Sequence, residues 1–335
     1  GRDDKFIRLL NENARRHPQR IVFTEGDNYR ILKAAEILIS NGVAKPILLG
    51  SKEKMEAIIE EYQLELQEAE FIDIMADRDG RETYATQMYE FRKRRGWTMG
   101  ECRSKIKSRE YYGNMMLRDG GADALISGLT VKYPTALRPI LRIIGMEEGM
   151  RKAAGMYILL SKRGPMFFAD TTINLDPTVE DLVQMVLNVA DTVKRTNITP
   201  KVALLSYSNF GSSNGPDARK MAKASAILRK EHPDLIVDGE MQANFALEPE
   251  LLEESFPFSD LVGHRANVFI FPNLAAGNIT YKMLQSFGAA EAIGPMLIGT
   301  KNSAHVLQLG ASVREIVNMA TLAAVDARNR KVKKV

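Results

Sequence analysis

The feature that most constrains this chain is its alternation of short apolar runs with longer stretches of helical periodicity. A strand followed by a helix and then another strand needs a crossover, and crossovers make neighbouring strands parallel. The expected class is therefore α/β, with parallel sheets covered by helices. In the first half, residues 20–24, 45–50, 70–74 and 124–127 read as strands. Between them, 6–16, 28–40, 52–62, 83–95, 100–106, 111–119 and 135–144 read as helices. In the helix from residue 28, Ile31, Ala34, Ala35 and Leu38 recur at helical spacing.

Glycine and charge cluster at residues 145–149, which marks a boundary between lobes. With 335 residues, the chain exceeds one average domain, so two lobes are expected. The second part opens on apolar stretches 153–160 and 165–170. Lys162, Arg163 and Gly164 between them suit a hairpin turn. Residues 178–194 form the clearest helix, with Val179, Leu182, Val183, Val186, Leu187 and Ala190 on one stripe. Strands are expected at 201–206, 235–238, 268–271 and 294–298, and helices at 217–231, 278–288 and 312–328. Val313, Ile316, Val317, Ala320 and Ala324 face inward on the last of these.

Several function classes are excluded or disfavoured. No run of about 18 apolar residues could span a membrane, and the N-terminus has no signal-like apolar region. One cysteine, Cys102, rules out an internal disulfide framework and fits a reducing cytoplasm. The histidines His17, His232, His264 and His305 are scattered, without metal-ligand spacing. The net charge of +4 arises largely from clusters at 92–95 and 328–334. Neither is joined to a nucleic-acid module or interleaved with stacking aromatics, so no nucleic-acid partner is expected. No P-loop and no strand-linked dinucleotide fingerprint is present.

Three loops follow strands, where sheets of this kind hold ligands. They are residues 24–27, 206–213 and 300–310. Glycine and hydroxyls before a helix suit an anion, and they equally suit ordinary turns and caps. Glu25 and Asp27 are either ligand groups or favourable first-turn acids.

Seven segments then carry a resemblance in order along residues 21–324. They are "EGDNYRILKAAEILISNGVAKPILLG", "GGADALISG", "RPILRIIG", "ALLSYSNFGSS", "VDGEMQ", "ANVFIFPNLAAGNITYK" and "GPMLIG". Together they resemble the phosphate acetyltransferase family. The resemblance implies an isocitrate dehydrogenase-like phosphotransacetylase fold, with two α/β lobes and a cleft between them. The first lobe would be discontinuous, residues 1–145 and 298–335, and the second would be 146–297. It also implies acetyl transfer between CoA and phosphate, CoA or acetyl-CoA as ligand, and a homodimer or higher homo-oligomer.

Two family arginines are matched by Arg92 and Arg138, which implies anion binding there. The implied ligand set adds Ser208, Asn209, Gly211, Ser212 and Gln308. Four positions depart. The family's arginine after "GNI.YKL.QR" falls on Ser286, its serine on Gln308, its next arginine on Leu309, and its aspartate on Glu315. Leucine cannot hold phosphate, and glutamine offers no hydroxyl.

The segment "AHVLQLGASVREIVNMATLAAVDA" is similar to the C-terminal domain of large bacterial NADP-dependent malic enzymes, as is "SNFGSS". That similarity implies a regulatory acetyl-CoA-binding domain with impaired transacetylase chemistry. Its partner in the same chain would be a malic enzyme domain carrying NADP and a divalent metal. That domain would decarboxylate malate oxidatively to pyruvate. No cofactor or metal is expected in the residues at hand, and a start without methionine suits a processed terminus, a cloning scar or a piece of a longer protein. The alternative is a working phosphate acetyltransferase. A metal-dependent decarboxylating dehydrogenase would need clustered aspartates, and none assemble in the sequence. His264 with Arg265, and His305, read as structural.

Overall fold

A computed structural model describes residues 5–333. The described residues form eleven strands. In chain order they are β1 Gln19–Phe23, β2 Ala44–Leu49, β3 Glu70–Ile72, β4 Ala124–Ser127, β5 Ala154–Ser161, β6 Gly164–Ala169, β7 Lys201–Leu205, β8 Ile236–Met241, β9 Val268–Ile270, β10 Glu291–Ile298 and β11 Ser303–Val306. The α-helices are α1 Lys5–Arg16, α2 Tyr29–Ser40, α3 Lys52–Tyr62, α4 Arg78–Arg92, α5 Met99–Lys105, α6 Arg109–Arg118, α7 Tyr133–Ile143, α8 Val179–Arg195, α9 Pro216–Glu231, α10 Ala243–Leu247, α11 Pro249–Ser255, α12 Leu274–Ser286 and α13 Val313–Lys333.

The chain divides into two compact units. One comprises the residues up to Gly145 and those from Thr300 onward, and the other is Met146–Gly299. The first unit holds a five-stranded sheet in the order β11-β4-β1-β2-β3, parallel throughout. Its central strands are buried on both faces, as a sheet covered by helices requires. Helix α2 buries Ile31, Leu32, Ala34, Ala35 and Leu38. Each such aliphatic side chain contributes about 1.5–3 kcal/mol on burial. The side chain of Asn28 caps the helix by accepting from the N–H of Arg30.

The second unit holds a six-stranded sheet in the order β10-β5-β6-β9-β7-β8. This sheet is mixed. β6, β9, β7 and β8 run parallel, whereas β5 pairs antiparallel with both β6 and β10. Alternation along the chain predicts parallel pairing, and it fails here because the hairpin at Lys162–Gly164 places β5 beside β6 without a crossover. Helix α8 starts on a capping box between Thr178 and Asp181 and buries eight residues along its inner face.

Some boundaries differ from the sequence expectation for local reasons. Helix α4 begins at Arg78 and not at residue 83, because Asp77 accepts from the N–H of Gly80 and so caps an earlier turn. Helix α12 begins at Leu274 and not at 278, because Asn273 caps it. Gly277 lies in that added turn, where a Cβ would stand 2.5 Å from the carbonyl of Asp170. Residues 300–310, expected as a loop, contain β11. All four of its residues are buried beside β4, and the His305 ring bonds to the Ser303 hydroxyl at 2.9 Å. Helices α10 and α11 are too short for their periodicity to stand out in the sequence.

Candidate functional site

Because the first sheet is parallel, the carboxyl ends of its strands share one edge, and the connecting loops gather there. The loop after β1 supplies two acids, both engaged within the fold. The Glu25 carboxylate accepts from the N–H groups of Leu129 and Thr130, each at 2.7 Å, and from the Thr130 hydroxyl. It therefore anchors the loop after β4. Asp27 meets the Arg109 guanidinium with two bonds of 2.7 Å and accepts from the N–H of Ser51. Burial pushes the Asp27 pKa up, but Arg109 and the Ser51 N–H together hold it below the usual carboxylate value.

The turn between β11 and α13 is pinned from beneath. Leu307 donates to the Ser127 carbonyl, Gly310 to the Leu129 carbonyl, and Arg30 to the Ala311 carbonyl. Gly128 makes this approach possible. Its φ is +92°, and a Cβ there would lie 2.5 Å from Cγ1 of Val306. The turn thus displays Gln308 and Leu309 to solvent, with Leu309 60% exposed. Glu315 is also exposed, in the first turn of α13, where the Ser312 hydroxyl accepts from its N–H at 3.1 Å. A carboxylate is favourable at that end of a helix.

A second cluster gathers around Trp97. The Arg92 guanidinium carbon lies 4.6 Å from the indole centroid, Lys105 Nζ at 5.1 Å, and the Arg142 guanidinium carbon at 5.7 Å. Tyr111 meets the indole edge-on, and its hydroxyl accepts from Arg142 at 3.0 Å. Among the described residues, no carboxylate pairs with Arg92, Lys105 or Arg142. The buried Nε of Arg92 has no hydrogen-bond partner at all. Burial first, and then the charges of Arg95 and Arg142, push the Arg92 pKa below the ordinary arginine value. Uncompensated cations in a partly desolvated setting favour an anion.

Arg138 stands exposed on α7, one turn before Arg142, with no partner among the described residues. Residues four apart share a helix face, so Arg138 extends the cationic cluster along α7. Of the two arginines singled out in the sequence, Arg92 lies in this cluster, and Arg138 stands one turn before its member Arg142 on α7. Sequence reasoning missed Trp97, Lys105, Tyr111 and Arg142 as members of it. A signal was available in the chain's single tryptophan, flanked by the run of basic residues at 92–95.

The hydroxyl-rich loop after β7 belongs to the second unit and is internally satisfied. The Ser208 N–H donates to the Ser206 hydroxyl, Asn209 to the Ser212 hydroxyl, and Phe210 to the Glu240 carbonyl. Gly211 donates to the Glu240 carboxylate, Ser212 to the Asn209 carbonyl, and Ser213 to the Ser208 hydroxyl. In this conformation no N–H from 208 to 213 remains for a ligand, and Ser208 is fully buried. These bonds are turn chemistry ahead of α9, whose N-cap, Gly215, carries no side-chain cap. Ser286, the last residue of α12, lies exposed in the same unit. No group of three or more His, Cys, Asp or Glu side chains suited to a metal ion occurs among the described residues. No helix among them is long and apolar enough to cross a membrane.

A parallel five-stranded unit, interrupted in sequence by a mixed six-stranded one, is the organisation of a phosphotransacetylase. Solved phosphotransacetylases from Staphylococcus aureus and Streptococcus pyogenes superpose with TM-scores of 0.89 and 0.87, at 29% and 31% identity. Each comparison covers 96% of this chain and 98% of the other. The chain belongs to the phosphate acetyl/butaryl transferase family, whose model matches residues 5–324. Curated relatives fall into two groups. The NADP-dependent malic enzyme of Salmonella typhimurium is 38% identical over 327 residues, covering 96% of this chain but 43% of that protein. The phosphate acetyltransferase of Clostridium acetobutylicum is 34% identical, covering 96% of this chain and 98% of its own length. The chain therefore spans less than half of the malic enzymes it resembles, whereas it matches a phosphate acetyltransferase over 98% of that protein's length.

Proposed function

We propose that this chain is a regulatory, acetyl-CoA-binding member of the family in which acetyl transfer has been lost. The observation that carries the reading is the pairing of a retained cationic cluster with an altered reactive turn. Arg92, with a buried donor that nothing satisfies, and the exposed Arg138 suit the phosphates of CoA. The turn at Gln308 and Leu309 offers neither a hydroxyl nor a cation to a reacting acetyl group or phosphate.

The chemistry of transfer explains why those positions matter. Moving acetyl from CoA to phosphate requires charge stabilisation at the acyl carbonyl, a cation for phosphate, and a base that generates thiolate. A neutral amide at 308 cannot relay a proton as a hydroxyl can, and an alkyl chain at 309 cannot bind phosphate. Glu315 retains a carboxylate, displaced by one methylene from the aspartate it replaces. A misplacement of about 1 Å can cost about a hundredfold in rate.

In this reading, acetyl-CoA acts by binding one conformation better than another, and so biases a domain to which the chain is coupled. The partner would be a malic enzyme domain of the same protein. NADP and a divalent metal would belong to that domain, with the decarboxylation of malate as the regulated reaction. A cytoplasmic setting suits these ligands.

A second reading, a working phosphate acetyltransferase, is favoured by the end-to-end match to such enzymes. Two measurements separate the readings. Titration calorimetry with acetyl-CoA should show binding that Arg92→Ala weakens about tenfold or more, and no binding at near-millimolar ligand would overturn the proposal. A coupled assay for acetyl phosphate should show no turnover. Clear turnover, abolished by Arg138→Ala, would establish the second reading.

A further inference from the structure

In the second unit, a pocket of about 260 Å³ lies between the segment leading into β5 and the first turns of α8. Arg151 and Lys152 come from the first of these walls, and Glu180, Asp181 and Gln184 from the second. Ala154 and Met185, both buried, add apolar lining. Part of the charge is committed to the fold. Lys152 Nζ bonds to the Asp181 carboxylate at 3.3 Å and ties the two walls together. The same carboxylate accepts from the Thr178 N–H at 3.0 Å in the capping box of α8.

The residue before each member of that pair is uncommitted. Arg151 and Glu180 both line the pocket, and neither has a hydrogen bond or an ion pair among the described residues, with each other or with anything else. The Gln184 side-chain amide is also unengaged, although its backbone carbonyl accepts from Asn188 at 2.9 Å. Asn174, a further lining residue, donates its amide to the Ala153 carbonyl at 2.8 Å and to Asp170 at 2.6 Å. Its orientation is thereby fixed, and its Oδ1 is left as an acceptor. We infer that this pocket binds a free aliphatic α-amino acid as its zwitterion.

Charge complementarity selects that class. With Lys152 and Asp181 paired, an unpaired guanidinium and an unpaired carboxylate remain in one small space. A simple anion would leave Glu180 facing it, and a simple cation would leave Arg151. A zwitterion answers both at once. Its carboxylate pairs with the two parallel N–H donors of Arg151. Its ammonium has three donors to share among Glu180 and the side-chain oxygens of Gln184 and Asn174. Ala154 and Met185 offer the ligand's side chain no polar partner, which favours an aliphatic group there over a charged one. The size agrees. A water molecule takes up about 30 Å³ of the liquid, so 260 Å³ has room for roughly nine groups of that size. Valine and leucine each have about that many non-hydrogen atoms. All these residues belong to the second unit, whereas Arg92 and its neighbours belong to the first, so acetyl-CoA binding is not required here.

The test is titration calorimetry of the intact chain with L-valine and L-leucine. One or both should bind with a dissociation constant of about 1 mM or tighter, within reach of a ligand this small. Isovalerate lacks the ammonium and valinamide lacks the carboxylate, so each should bind at least about tenfold more weakly than valine. Those analogues are compared on the unaltered protein, which keeps the test decisive even if a variant misfolds. Arg151→Gln should weaken valine at least about tenfold and abolish its advantage over valinamide. Glu180→Gln should weaken valine similarly and abolish its advantage over isovalerate. Both side chains are exposed, so far-UV circular dichroism should not change. No binding of either amino acid at about 10 mM overturns the inference. So does an analogue that matches valine on the unaltered protein, or an affinity for valine that survives both substitutions.

Discussion

The Arg92 guanidinium lies over the Trp97 indole at 4.6 Å, while its buried Nε has no partner. The ring face stabilises the cation without neutralising it. Lys105 and Arg142 crowd the same indole, so like charges are held together by aromatic surface, with no carboxylate among them. Such a cluster is costly when empty and gains when an anion arrives.

The first prediction concerns that cluster. Arg142→Ala should weaken acetyl-CoA binding about fivefold to tenfold, since it removes a neighbouring cation and the bond to Tyr111. Because the contribution is ionic, the affinity of the unaltered protein should fall as salt is raised, and that of Arg142→Ala should fall less. Calorimetry across a salt series checks both. Equal salt slopes for the two proteins would remove Arg142 from the ligand's surroundings.

A second prediction addresses the altered turn. Gln308→Ser and Leu309→Arg together with Ser286→Arg and Glu315→Asp restore the residue types of transferring relatives. The quadruple variant should form acetyl phosphate at least about tenfold faster than the unaltered chain in the coupled assay. No gain, despite retained acetyl-CoA binding, would mean that positions other than these four limit transfer.

The ion pair between Asp27 and Arg109 makes stability depend on pH. The Asp27 pKa is lowered in the folded state, so the unfolded chain binds its proton more readily. The pair's contribution is then complete above the unfolded carboxylate value near 4 and is lost as pH falls through the lower folded value. Asp27→Asn should lower stability by about 1–3 kcal/mol at pH 7, where a charge-assisted bond is lost. Its penalty should shrink toward pH 3. Urea unfolding at both pH values measures the difference, and a penalty that grows in acid would contradict this account.

Gly128→Ala tests the close approach beneath the turn at 307–312. The added methyl meets Val306, and φ of +92° disfavours any side chain. We expect a loss of about 2–4 kcal/mol, read as a fall in Tm of several degrees. An unchanged Tm would show that β4 and β11 can separate there without cost.

Much of the fold is legible from local pattern. The helix at 52–62 coincides with α3, the helix expected from residue 28 is α2, and the strand at 124–127 is β4, because periodicity depends on residues a few positions apart. The Lys162–Gly164 hairpin was visible in the same way. The sequence also carried the two α/β lobes and the family, through motifs that keep their order along the chain. It singled out Arg92 and Arg138, although not what surrounds them.

Tertiary structure decided the rest. β11 lies within a stretch with the composition of a loop, and it is a strand because β4, about 180 residues earlier, offers it an open edge. In the sequence Glu25 and Asp27 read either as ligand groups or as first-turn acids, and folding brings Leu129, Thr130 and Arg109 to them. The loop at 206–213 suited an anion or an ordinary turn alike, and folding engages each of its amides from 208 to 213. Arg92, Trp97, Lys105 and Arg142 lie on three helices and a connecting turn, and only packing makes them one cluster. The sequence by itself determined most of the helices and strands and which residue types stand at the altered turn. Which polar groups are satisfied and which are left over depends on contacts distant in the chain, and only the tertiary structure decided that.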